Sequence, residues 1–147
     1  MAGKSDAFEY DFMRMTFNGT AITNISATGG TTQLWLAFCT ADPGDAGSTA
    51  AEGGYAQYVR VATQRSTAGW SVTSGTSAAM ASASPVAAIS APQNTSTSTG
   101  TFTHASIYPS SSSVGSAALY TGAITPNINF SQNVTPQLTT ASSITED

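Results

Sequence analysis

The sequence predicts an all-β fold: a single, jelly-roll-like β-sandwich domain with one short N-terminal α-helix or arm. Three observations favour this class. Ser, Thr, Ala and Gly with spaced apolar residues, a composition typical of strands and turns, dominate the chain. Short apolar runs alternate with turn signals at fairly even intervals. No internal repeat or break in composition divides the 147 residues, a length that suits one domain with a substantial core.

The convincing helix comes first, so residues 1–19 are predicted to form a helix or arm ahead of the domain at residues 20–141. Asp6 and Glu9 have the spacing of a capping box, which predicts the start of the helix. Asn18-Gly19 predicts its end, with Gly19 in the left-handed conformation that closes many helices.

The apolar residues of this helix leave two interpretations open. One stripe at helical spacing is formed by Phe8, Phe12 and Met15. Further apolar surface on other faces comes from Tyr10, Met13 and Phe17. Either the helix packs on its own domain, or it docks as an arm on a neighbouring subunit.

The first half of the domain is predicted to contain a buried strand and a hairpin. Residues 33–40 are apolar on both alternations, which is typical of a central strand covered on both faces, and the turn formers of residues 41–47 end it. Residues 55–62 form a second predicted strand, and Ser66–Gly69 makes a tight return to Trp70–Thr73.

The second half is predicted to contain another hairpin and several short strands. The Ala/Ser/Thr-rich residues 74–100 have little pattern beyond a short strand at Val86–Ile89. A hairpin joins residues 101–108 to residues 117–124. Short strands are predicted at Asn127–Phe130 and Thr135–Thr140, broken by Pro126 and Pro136, and the tail, residues 142–147, is expected to fray unless a partner holds it.

Charge is absent from more than half of the chain, since no Asp, Glu, Lys or Arg lies between Ser66 and Thr145. Most enzymes need carboxylates, or a partnered histidine, near a pocket, so the sequence predicts no catalytic residue and no cofactor. A net charge of −4 with scattered bases argues against nucleic acid as a partner. No apolar run reaches the length of a membrane span, and the N-terminus lacks a signal peptide's apolar region.

The remaining candidate sites have weak support. Asp42, Asp45 and Glu52 offer oxygens for a calcium ion, but an ordinary turn, with Asp42 bonded to its own backbone, explains the loop more simply. His104 has no second histidine and no nearby cysteine, so no metal site is predicted and a bond to a strand neighbour is expected. Cys39 is predicted to be a buried, unreactive thiol.

The order of motifs resembles that of a family of small virion proteins of tailed bacteriophages, often labelled tail-fibre proteins. The resemblance spans most of the chain and is weakest over residues 74–100. The motifs that carry it are Phe17–Thr20, Leu34–Asp45, Tyr55–Ala62, Gly69-Trp70, Leu119–Gly122, Thr135–Leu138 and Ile144–Asp147. Its most specific parts are the TADPGD loop and the closing TED.

The resemblance implies a non-enzymatic virion protein, made in the host cytoplasm. The favoured hypothesis is a capsid cement (decoration) protein on the capsid surface. Its partners would be the major capsid protein and copies of itself, in a homo-oligomer such as a trimer. The alternative is a tail or tail-fibre component, which binds a host glycan if aromatic residues such as Trp35 and Trp70 are exposed rather than in the core. The candidate partner contacts are Phe8, Tyr10, Phe12, Met13, Phe17 and Ile144.

Overall fold

The computed structural model describes residues 6–21, 32–44, 48–74, 81–111 and 118–146. Its elements, in order, are α1 (Asp6–Asn18), β1 (Gln33–Cys39), a 3₁₀ turn (Thr49–Ala51), β2 (Val61–Gln64), β3 (Trp70–Thr73), β4 (Ala81–Pro85), β5 (Ile89–Ser90), β6 (Gly100–Tyr108), β7 (Tyr120–Phe130), β8 (Gln137–Leu138) and β9 (Ile144–Glu146). Strands hold 41% of the described residues and helix 11%, with antiparallel sheets, which confirms the predicted all-β class with one short helix.

Contacts between residues divide the chain into two units. The first, here called the helix unit, comprises residues 1–32, 64–88 and 139–147 and contains α1 and the sheet β3-β4-β9. The second, here called the sheet unit, comprises residues 33–63 and 89–138 and contains the sheet β2-β1-β6-β7 and the ribbon β5-β8, with the last residue of β2 at the boundary. The predicted single sandwich of jelly-roll type, and its boundaries at residues 19–20 and 141–142, stay predictions.

In the helix unit, α1 ends as predicted but buries a different face. It stops at Asn18, and Gly19 follows with a φ of 67° in the left-handed region. Met13 and Phe17, four residues apart, are completely buried, while Phe12 and Met15 of the predicted stripe are half-buried. The prediction chose the wrong face because apolar residues occur on several faces and only the docked sheet selects one of them. The side chains of residues 6–9 lie outside the described part, so the capping box stays a prediction.

The strands of the helix unit correct two predictions. The predicted hairpin between residues 55–62 and 70–73 is wrong, because β2 belongs to the four-stranded sheet whereas β3 pairs with β4. The tight turn itself forms, with the Gly69 and Trp70 amides donating to the Ser66 carbonyl. The C-terminal tail was expected to fray without a partner, but β9 pairs with β4 of the same chain.

In the sheet unit, β1 lies between β2 and β6 and is buried along most of its length, as predicted for a central strand. The β6–β7 hairpin is also confirmed. Residues 127–130 are not a separate strand, because β7 continues past Pro126 through a shift of register between Phe102 and His104 of β6. The strand expected at Val86–Ile89 is wrong, since β4 ends at Pro85 and β5 begins only at Ile89.

The segment before β2 is not the predicted strand. From Tyr55 to Arg60 the chain forms turns, and the Tyr58 amide donates to the Tyr55 carbonyl. A strand would project residues 55 and 58 to opposite faces. In the structure the turn brings both rings together, edge to face at 5.9 Å between centroids, and this packing replaces the strand.

Candidate functional site

A buried ion pair lies in the sheet unit. Arg60 donates from Nε and Nη2 to the two carboxylate oxygens of Glu52, both at 2.9 Å, and both side chains are almost fully buried. The same guanidinium donates from Nη1 to the Ser110 carbonyl and lies 3.5 Å from the centre of the Tyr108 ring. Burial lowers the pKa of Arg60, but the hydrogen bonds and charge of Glu52, together with Tyr108 and Tyr58, outweigh burial, so the net pKa is raised. The two charges therefore compensate each other inside the fold.

Aromatic rings fill the space beside this pair. Phe102 contacts four rings at centroid distances of 4.6 to 6.4 Å, those of Phe38, Tyr55, Tyr58 and Phe130. The Tyr58 hydroxyl accepts the Phe38 amide at 2.7 Å, so a ring of the core also satisfies a peptide group of β1. Burial raises the pKa of the Tyr58 phenol well above its usual range. The arrangement is a packed aromatic core.

The acidic loop after β1 provides an ordinary turn. The Asp42 carboxylate accepts the Gly44 amide at 2.8 Å, as the turn hypothesis predicted. Glu52 is occupied by Arg60, and Asp45 lies outside the described residues. Among the described residues no group of His, Cys, Asp or Glu is arranged to hold a metal ion. The geometry favours the turn over the calcium site.

The other polar candidates are tied to neighbours within the strands. The His104 Nδ1 lies 2.9 Å from the Thr103 hydroxyl, the bond to a neighbour that was expected. Cys39 is fully buried, with its Sγ 3.9 Å from the Ser106 Oγ. Burial raises the pKa of the Cys39 thiol, so the reactive thiolate is disfavoured. The prediction of a buried thiol is confirmed.

Five of the six candidate partner contacts have described side chains, and they differ in burial. Met13 and Phe17 are buried, and the Phe17 ring lies 4.8 Å from that of Trp70. They reach a partner only if α1 leaves its sheet. Tyr10, Phe12 and Ile144 are half-buried, and the side chain of Phe8 lies outside the described part. The packing of α1 against β3 and β4 favours a helix docked on its own chain.

A glycan platform needs an exposed aromatic ring, and the described side chains do not provide one. Trp70 is buried in the helix unit and Trp35 is half-buried on β1. The large apolar side chains that are exposed in the described residues are aliphatic: Val59, Val86, Leu119 and Val134. The sequence analysis did not single these residues out, since isolated valines and leucines carry no positional signal.

The C-terminal end of α1 is held by a residue that sequence reasoning also missed. The Arg65 guanidinium donates from Nε to the Thr16 carbonyl at 2.6 Å and from Nη2 to the Met15 carbonyl. These carbonyls belong to the last turn of the helix, where the backbone lacks its own donors. A cation there also compensates the negative end of the helix dipole. Arg65 lies about fifty residues after these carbonyls in the chain, so the sequence contains no local signal of the contact.

Comparison with known proteins identifies the family. The model of the Gp80 family, described as podophage GP4 fiber I protein gp80, matches residues 3–145. The chain belongs to this family. Its description agrees with the resemblance found in the sequence and indicates a structural protein of the phage virion. No curated protein matches the chain. Within the described part of this Gp80 family member, no helix is long and apolar enough to cross a membrane.

Proposed function

We propose that this chain is a non-enzymatic structural subunit of the phage tail or tail fibre. The observation that carries the proposal is the match of a fibre-protein family over residues 3–145. The side chains support it, because charged and titratable groups bond to neighbours within the chain: Arg60 to Glu52, His104 to Thr103 and Asp42 to Gly44. A subunit of this kind contributes shape and contact surface and has no substrate.

The surface of the sheet unit fits such a role. Strands β6 and β7 carry no Asp, Glu, Lys or Arg, and their exposed positions are hydroxyl, amide and small side chains. Neutral surfaces approach each other without like-charge repulsion and without the desolvation cost of buried charges. Modest interfaces of this type become strong when an assembly repeats them, because each contact raises the effective concentration of the next.

The family description favours a fibre over the capsid cement role that led the sequence hypotheses. A cement protein on the capsid surface shares the same compact, neutral β-structure, so location on the particle separates the two. Glycan binding has less support, since Trp35 and Tyr10 are half-buried and Trp70 is buried.

Copy number and location test the proposal directly. Purified virions are disrupted, heads and tails are separated, and the chain is quantified in each fraction by mass spectrometry against the major capsid protein and the portal-bound tail proteins. The proposal predicts a low copy number that follows the tail fraction. Hundreds of copies in the head fraction would overturn it in favour of capsid cement.

A further inference from the structure

The four-stranded sheet has β2 at one edge and β7 at the other. The first part of β7, Tyr120–Ala123, pairs in regular register with Ile107–His104 of β6. Gly122 and Ala123 are exposed, and a side chain added at Gly122 would meet nothing within 4 Å. An exposed, regular strand edge presents backbone groups that can pair with another strand.

The direction of these groups follows from the neighbouring strands. Phe38 of β1 uses both its peptide groups on the side away from β6: its amide donates to the Tyr58 hydroxyl, and its carbonyl accepts from the Gly53 amide. Its partner on β6 is Ala105, so Phe38 and Ala105 form a pair without mutual hydrogen bonds. Successive residues of a strand point alternately to either side, so the peptide groups of Ala105 face β7.

The same alternation shows which way the peptide groups of β7 point. Ala105 is opposite Gly122, and these two residues therefore exchange both their hydrogen bonds. On either side of Gly122, the amides and carbonyls of Thr121 and Ala123 then point away from β6, in the plane of the sheet. In the described part of the chain no hydrogen bond to these outward groups is found. Among the described residues, two donors and two acceptors on this short edge therefore have no partner.

We propose that this edge pairs with the same edge of a second copy, antiparallel about a two-fold axis at Gly122. In that register Thr121 is opposite Ala123 of the other copy, and the two residues exchange both hydrogen bonds. The two-fold axis repeats this pair, so all four outward groups of each copy are satisfied. Gly122 faces its own equivalent as a pair without hydrogen bonds, where backbones approach to about 4.5 Å and a residue without a side chain fits.

A second copy suits this edge better than a charged partner does. Exposed edges are commonly blocked by Lys or other charges, yet Tyr120–Phe130 contains none. Two copies of this neutral segment approach each other without charge repulsion, and the segment offers no opposite charge to a charged strand. Beyond Ala123 the register shifts and Pro126 has no amide hydrogen, which confines the pairing to the first part of β7. The inference concerns the contact itself and does not depend on where the protein lies on the particle.

Sedimentation of the purified full-length chain over a concentration series tests the proposal. We expect a species of twice the monomer mass that dissociates on dilution. Ala123→Lys places a charge on each side of the paired edge and is expected to leave a monomer. The matched control is Ser71→Lys, which adds the same charge at an exposed position on β3, an edge strand of the three-stranded sheet, and is expected to leave the dimer intact.

Amide hydrogen exchange of the unmodified chain gives a second readout, which holds even if a variant fails to fold. The Thr121 and Ala123 amides should be protected at high concentration and exchange freely on dilution. A monomer at all concentrations would overturn the proposal. So would a dimer in which these two amides exchange freely, or protection of both amides only within virions, which would assign the edge to another virion protein.

Discussion

The helix unit and the sheet unit are stabilised in different ways. The sheet unit buries a bidentate ion pair, Arg60–Glu52, and a cluster of aromatic rings centred on Phe102. The helix unit joins three separate stretches of chain through a docked helix, with Phe17 on Trp70 and Arg65 on helix carbonyls. Removing one partner of a buried ion pair leaves an uncompensated charge and lowers the free energy of unfolding strongly. Truncating a buried apolar side chain lowers it in proportion to the volume removed. The two units should therefore respond differently to single substitutions.

Removal of the buried cation should have the largest effect. Arg60→Ala leaves the Glu52 carboxylate buried and unpaired, and we expect the free energy of unfolding to fall by about 3–5 kcal/mol in urea titrations. The double variant Arg60→Met with Glu52→Leu removes both charges and should recover most of that loss. The matched control is Arg14→Ala, whose pair with Asp11 is exposed, and it should cost at most about 1 kcal/mol. Equal losses of stability in Arg60→Ala and Arg14→Ala would contradict the contrast between a buried and an exposed ion pair.

Truncation of the helix anchor should come next. Phe17→Ala empties the buried position against Trp70, and a loss of about 3 kcal/mol is expected for a cavity of this type. Phe12→Ala, on the half-buried side of the same helix, should cost less. Hydrogen exchange locates the damage: protection should fall in β3 and β4 and persist in β1 and β6. Uniform loss of protection would show that the two units unfold as one.

The clamp on the end of α1 should contribute a smaller amount. Arg65→Ala removes two hydrogen bonds from a charged group to helix carbonyls, with an expected loss of about 1.5–3 kcal/mol. Arg65→Lys keeps the charge near the helix end but lacks the planar fork, so it should recover only part of the loss. Full recovery with Lys would mean that charge alone, and not the paired hydrogen bonds, holds the helix end. Thermal unfolding of the three proteins compares them directly.

Alkaline pH should affect the sheet unit alone and by the smallest amount. Burial raises the pKa of the Cys39 thiol in the folded chain, so the unfolded chain loses this proton first as pH rises. Stability from this group is complete below the unfolded pKa of about 8.5 and declines above it. Unfolding free energies measured across this range should therefore fall with pH. In Cys39→Ala the fall of the unfolding free energy with pH should be less steep, by the equivalent of about one proton released on unfolding. An unchanged slope would contradict the assignment.

Sequence reasoning succeeded where a pattern is local. Strand β1 and the β6–β7 hairpin follow from apolar runs and turn residues that lie next to each other in the chain. It failed at Tyr55–Arg60, where the alternation of a strand is overridden by two rings that turn into the same cluster. It also missed β4, an Ala/Ser segment whose alternation involves only small side chains and whose pairing is completed by β9 from the far end of the chain.

The site could be foreseen only in part. The bond at His104, the buried Cys39 thiol and the turn at Asp42 were predicted, because each depends on near neighbours. The Arg60–Glu52 pair was not, since Arg60 was placed in the predicted strand at residues 55–62 and Glu52 was considered only as a calcium ligand. A lone arginine eight residues after a lone glutamate, in a stretch poor in charge, was the available signal. The list of partner contacts on α1 and the tail stays a prediction.

An image reconstruction of the virion tests the central claim, a structural subunit of the tail or fibre, most directly. The account predicts density for this chain at the tail, in a low number of copies. Each copy should retain the folded sheet unit, with α1 docked on its own strands. Density on the capsid lattice at hundreds of positions would contradict the account and restore the cement hypothesis.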